Sequence, residues 1–134
     1  MPQHSEFVDY LLELLTPLGG VRAQRMFGGY GIYRDGLMFG LVANEVLYLK
    51  TDESSRAAFE ARGLPPFTYQ RSGKPAIVMS YHRAPEDALE ESETLCRWAR
   101  DASAAALRSA NKQKRPEIRV IGSFVLVFRM PDGW

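Results

Sequence analysis

Between Arg25 and Asp52 the chain reads RMFGGYGIYRDGLMFGLVANEVLYLKTD, and this stretch limits the fold more than any other. Three apolar, aromatic-rich runs are divided by two short turn signals. Asp35-Gly36 lies between Tyr33-Arg34 and Leu37-Met38. A two-residue hairpin turn needs positive φ at both central positions, which Asp and Gly tolerate. Ala43-Asn44-Glu45 plays the same role before Val46. The pattern predicts a three-stranded antiparallel meander that ends on a helix start at Thr51-Asp52. Its strands are apolar at most positions, so both faces are expected to be covered.

The flanking sequence supplies helices. Ser5 is placed to cap a helix over 5–16, with Glu6 in its first turn. Phe7, Val8, Leu11, Leu14, Leu15 and Leu18 recur at three- and four-residue steps and give it one apolar stripe. Pro17 and Gly19-Gly20 end it, and residues 21–27 form a candidate first strand. After Asp52, the residues Ala57, Ala58, Phe59 and Ala61 continue a short helix, with Gly63 at its C-terminal stop. Pro66-Phe67-Thr68-Tyr69 and 76–81 make a second hairpin around Ser72-Gly73-Lys74-Pro75. There Ile77, Met79 and Tyr81 share a face. A short acidic turn follows at 85–91. Ser92 then caps a last helix whose stripe is Leu95, Trp98, Ala99, Ala102, Ala105 and Ala106.

Beyond Asn111 the pattern changes, which sets the expected division at 1–111 and 112–134. Lys112-Gln113-Lys114-Arg115-Pro116 reads as a basic, extended linker. Ile118 to Met130 (IRVIGSFVLVFRM) is strongly β-prone. It either adds a strand to an exposed edge, its own or that of a second copy in a dimer, or stays an aggregation-prone tail.

The residues that carry chemistry are sparse. His4 and His82 each stand alone, and His82 beside Arg83 at a strand exit reads as a surface residue. A zinc site needs three or four convergent ligands, and no such spacing occurs. Cys96 has Arg97 and Arg100 nearby, yet its simplest reading is a small residue packed half-buried beside Trp98. Gly28-Gly29-Tyr30-Gly31 invites a phosphate loop, but the glycines run into Ile32-Tyr33 rather than a helix N-terminus. A bulge or sheet bend, where bare backbone admits a neighbour, is the better expectation. Tyr30, Tyr33, Tyr48, Phe67, Tyr69 and Tyr81 would stack on bases if exposed, and are expected mostly core or half-buried. No catalytic residue, cofactor or metal site is assigned.

Charge is informative only through its distribution. Residues 84–95 hold five acids and no base, whereas 97–119 hold seven bases against two acids. Arg97, Arg100, Lys112, Lys114 and Arg115 are therefore the candidate contacts for a partner or for phosphates. A net charge of +1 argues against strong autonomous DNA binding and favours a protein surface. One cysteine excludes an internal disulfide and fits a reducing cytoplasm. The N-terminus lacks a basic leader, and no run reaches the ~18 apolar residues of a membrane span.

The motifs Met26-Phe27-Gly28-Gly29-Tyr30-Gly31, Leu47-Tyr48-Leu49-Lys50-Thr51-Asp52 and Pro66-Phe67-Thr68-Tyr69 closely resemble the N-terminal domain of the TfoX/Sxy regulators of natural competence. Met79-Ser80-Tyr81, Ala84-Pro85-Glu86 and Trp98-Ala99 match as well, over about residues 6–110. The resemblance implies an α+β, two-layer α-β(3)-α-β(2)-α domain. It also implies a non-enzymatic transcriptional co-activator acting with the cyclic-AMP receptor protein. Those regulators carry a second, helical domain for which this chain is too short, and 112–134 has no counterpart in the resemblance. Two other classes compete with that role: a small-ligand or nucleotide sensor built on the glycine stretch and nearby tyrosines, and a weak nucleic-acid binder.

Overall fold

The computed structural model describes residues 5–26, 28–70, 72–114, 117–121 and 124–128, with side chains as far as residue 112. Helix α1 (Glu6–Leu14) starts where Ser5 Oγ accepts the Val8 N–H at 3.1 Å. It runs into a single 3-10 turn, Thr16–Leu18, that carries Pro17. Four strands then follow in an antiparallel meander: β1 (Val21–Met26), β2 (Gly29–Arg34), β3 (Leu37–Ala43) and β4 (Val46–Lys50). The candidate first strand forms as Val21–Met26 and pairs with β2 along its whole length, adding a fourth strand to the three of the Arg25–Asp52 stretch. Its exposed Arg22, Gln24 and Arg25 leave little apolar periodicity, as suits an edge strand.

Both turn assignments hold. Asp35 (φ 53°) and Gly36 (φ 78°) link Arg34 to Leu37, and Asn44 (φ 51°) and Glu45 (φ 58°) link Ala43 to Val46. The register slips between Ile32 and Tyr33, so that Phe39 is the extra residue of β3. The glycine stretch permits close approach of neighbouring groups. A Cβ on Gly29 would run into the Val42 carbonyl, and one on Gly31 would lie 2.8 Å from Met38 Sδ and from the Tyr33 ring.

Asp52 caps the next segment: its Oδ1 accepts the Ser54 and Ser55 N–H groups at 3.1 and 3.0 Å. Helix α2 (Arg56–Glu60) follows and ends at Gly63 (φ 69°). Strands β5 (Pro66–Tyr69) and β6 (Ile77–Arg83) form the second hairpin, and β6 docks on β4. The sheet order is β1-β2-β3-β4-β6-β5. β6 pairs with β4 only from Tyr81 to Arg83, so its first half projects past the end of β4 as an arm with β5.

The acidic turn is a 3-10 helix, Glu86–Glu90, and α3 (Ser92–Lys114) lies across β3 and β4. The side chain of Ser92 does not act as the expected cap. Its hydroxyl donates to the Leu14 carbonyl at 2.6 Å and ties the start of α3 to the end of α1. The buried alanines Ala99, Ala102 and Ala106 bring α3 close to Ile32, Phe39, Leu47 and Leu49, while Leu11, Leu15 and Leu95 complete the core. This is the two-layer α+β arrangement, with the helices on one face of the sheet.

Two expectations for the C-terminal part change. Lys112, Gln113 and Lys114 belong to α3 and not to an extended linker. These are good helix formers, and a helix already docked propagates through them at little cost. The β-prone run is two strands rather than one, β7 (Glu117–Ile121) and β8 (Phe124–Phe128), paired antiparallel with each other.

Candidate functional site

The sequence-derived contact residues do not converge. Arg97 and Arg100 are exposed one turn apart on α3, and Lys112 is exposed about 18 Å beyond Arg100 along the axis. Asp101 stands on the same exposed side. Lys114 is helical, but its side chain lies outside the described residues, as does the whole of Arg115. Arg108 shares this side of α3 but is committed elsewhere: its Nε donates to Asp52 Oδ2 at 2.6 Å.

That ion pair rims a polar cleft of about 820 Å³ between α2, β6 and the second half of α3. Arg108, together with the hydrogen bonds from Ser54 and Ser55, holds the Asp52 carboxyl well below the usual carboxylate range, against the opposing effect of burial. Arg108 is half exposed, so the pair itself stabilises only modestly.

His82 lies at the base of the cleft and is 5% exposed, which corrects its reading as a surface residue. Its Nδ1 shares a 2.9 Å hydrogen bond with Thr51 Oγ1, and the Phe59 ring sits 5.7 Å away. Burial pushes the imidazole pKa down; Glu60 opposes this and Arg56 adds to it. Sequence reasoning missed His82 because its partner, Thr51, is 31 residues distant and only the β4–β6 pairing brings them together.

Cys96 is also fully buried. It faces α1, with Sγ 3.4 Å from the Leu14 carbonyl, and does not pack half-exposed beside Trp98. Trp98 instead meets Phe59 edge-on at 5.1 Å and carries Arg62 over its ring. Among the described residues no group of three His, Cys, Asp or Glu is placed to hold a metal ion, and no helix is long and apolar enough to cross a membrane.

The second face of the sheet departs most from expectation. All the helices pack on the face carrying Ile32, Val42, Leu47 and Leu49. By alternation the opposite face carries Gly31, Leu41 and Tyr48 in one row across β2, β3 and β4. No helix covers that face among the described residues. Leu41 is nevertheless 7% exposed, because long methionine and aromatic side chains close over it.

The β5–β6 arm bends towards this face and leaves an apolar trough of about 500 Å³. Met26, Met38 and Leu41 line one side; Phe67, Ile77 and Met79 line the other. Tyr48 meets Phe67 edge-on at 5.0 Å across the floor. Tyr33, Tyr48 and Phe67 are half-buried, Tyr81 is buried and Tyr69 is 40% exposed. Tyr30 points the other way and packs against the core. Two cations sit over rings on this face: the Arg22 guanidinium 5.4 Å from the Tyr33 centroid, and Lys50 Nζ 5.1 Å from that of Tyr81. Burial lowers the Lys50 pKa and raises that of the Tyr81 phenol.

The chain was compared with known proteins. The family model for the TfoX N-terminal domain matches residues 13–106. Protein Sxy of Escherichia coli (strain K12) is 27% identical over 106 residues, an alignment that takes in 78% of this chain and 50% of that protein. The chain thus spans about half the length of the curated relative it matches.

Proposed function

This chain belongs to the TfoX N-terminal domain family, and on that premise we propose that it is a non-enzymatic regulatory module that binds a protein partner of the transcription machinery in the cytoplasm. The observation that carries the reading is the pairing of that family with a sheet face that is apolar yet left uncovered by any helix among the described residues. Apolar concave surfaces with a few exposed side chains at the edge are where proteins take up ligands and partner side chains. Among the described residues, by contrast, the ionisable groups do not assemble a nucleophile, a base and an oxyanion donor at one point. His82 is held by Thr51, Asp52 by Arg108, and Cys96 is sealed against α1.

The cyclic-AMP receptor protein is the partner that the TfoX/Sxy resemblance suggests. In this reading Arg97, Arg100 and Lys112 steer the encounter along α3 and do not anchor it, since exposed rim charges act mainly on association rate and salt dependence. Lys114 and Arg115 extend the same basic run. Copurification from native lysate tests the proposal. A transcription component, the cyclic-AMP receptor protein first among them, is expected to be retained. Failure to retain any, together with unchanged transcripts on deletion of the chain, would refute it.

A small-ligand reading is supported by the polar cleft above His82. Gly28, Gly29, Tyr30 and Tyr69 also line the apolar trough, although the glycines lie at a strand and not ahead of a helix N-terminus. A nucleotide at 100 times its Kd would add about 2.7 kcal/mol and lift the melting temperature visibly.

A further inference from the structure

The trough on the helix-free sheet face has a chemistry that selects its occupant. None of the residues lining the cavity is charged. Three of its walls are methionines, Met26, Met38 and Met79, whose unbranched side chains adapt to apolar groups of varied shape. The cavity therefore takes an apolar side chain. Phosphate, which demands cationic donors, has no counterpart inside it.

The strands that frame the cavity carry cations on this face. Strand positions that alternate onto this face include Arg22, Lys50 and Arg83 and no carboxylate. Arg83 reaches Glu86 only at 3.7 Å, and Glu86 is almost wholly exposed. Lys50 is half-buried over Tyr81 and has no carboxylate within ion-pair distance among the described residues. Asp52 acts on it only at a distance and is already paired with Arg108, so an incoming carboxylate would gain more at this half-buried ammonium than at an open surface. The trough is also open, bounded by the sheet and by one arm. Ile77 on that arm is 42% exposed, so a segment seated in the trough would cover an apolar side chain that now faces water.

We propose that the trough between the meander and the β5–β6 arm holds an extended segment of a partner protein in which acidic and apolar residues alternate. An apolar side chain sits among Met38, Leu41, Phe67 and Met79, and flanking carboxylates meet Lys50, Arg22 and Arg83. This rests on the regulatory-module reading and adds the chemistry of what the module grips.

The test uses the full chain, isotopically labelled, and three probes of about ten units, long enough to cross the sheet. One is a peptide alternating glutamate with leucine and phenylalanine; the second replaces glutamate by lysine; the third is oligothymidine. The acidic peptide should bind saturably and shift the amides of Met38, Leu41, Ile77 and Met79. The lysine peptide should bind at least about tenfold more weakly, because wrong-sign charges are rejected. Tyr69→Ser combined with Ile77→Ser should weaken the acidic peptide about tenfold, as loss of an apolar anchor does. Lys50→Gln should narrow the gap between the two peptides.

Equal binding of the lysine peptide, tighter binding of oligothymidine on this face, or shifts confined to α3 would each overturn the proposal. So would absence of peptide binding; if the chain still retained a transcription component from lysate, the regulatory reading would stand without this inference. Conversely, peptide binding at the trough with no transcription component retained would leave this inference and remove that reading. Should the double variant fail to fold, the amide map of the wild-type chain with the three probes decides alone.

Discussion

Glu45 occupies a left-handed position at φ 58°, where a side chain with a Cβ is strained. Asn44 before it tolerates that region, and glycine after it would complete the preferred hairpin pair. Glu45→Gly is expected to stabilise the fold by about 1 kcal/mol and to raise Tm by about 3 °C, read by calorimetry. Gly36→Ala, at φ 78°, should cost a similar amount. An unchanged melting temperature would mean that the Asp35-Gly36 turn is misassigned.

His82 gives a pH signature with a definite sign. Its folded pKa lies below the ordinary 6.5, so the unfolded chain takes up a proton first as the pH falls. The stability tied to the neutral imidazole is therefore complete above 6.5 and is lost below it. Tm should fall between pH 7 and 5, and His82→Gln should flatten that part of the curve. Asp52 acts in a lower window. Its folded pKa is depressed, so its contribution is present above the ordinary 3.8 and drains away as the pH drops further. Asp52→Ala loses a cap and an ion pair and should cost about 1–2 kcal/mol. Arg108→Ala, half exposed, should cost only about 0.5 kcal/mol.

At the scale of elements, the hairpins were legible because their determinants are local: Asp35-Gly36 and Asn44-Glu45 set the turns by themselves. What depended on distant packing was not. The fourth meander strand was easy to undervalue because Arg22, Gln24 and Arg25 point into water, and an edge strand needs few apolar residues. The α3 extension was hidden by Pro116, which suggested that helix ended earlier than Lys114. Cys96 and Trp98 are adjacent in sequence reasoning but face different neighbours, since two residues apart on a helix point in nearly opposite directions. Close packing of α3 on the sheet leads to another prediction. Ala99→Leu inserts bulk where Ala99 is fully buried against the core and should cost about 1–3 kcal/mol by denaturant titration. Gly31→Ala should be destabilising too, although the flexible tips of Met26 and Met38 can yield part of the space.

For the molecule as a whole, the sequence showed that both faces of the strands were apolar but not that only one would receive helices. Alternation reports apolarity, and the identity of the covering layer is a tertiary fact. In the proposed function the helix-free face is the working surface and the basic side of α3 aids encounter. Transcript abundance in cells lacking the chain, complemented by the wild type or by Tyr69→Ser/Ile77→Ser at matched protein levels, tests this most directly. The account predicts that the wild type restores the altered transcripts, whereas the double variant, melting near the wild-type temperature, does not. Full restoration by that variant, or a transcript profile indifferent to the chain's deletion, would contradict it.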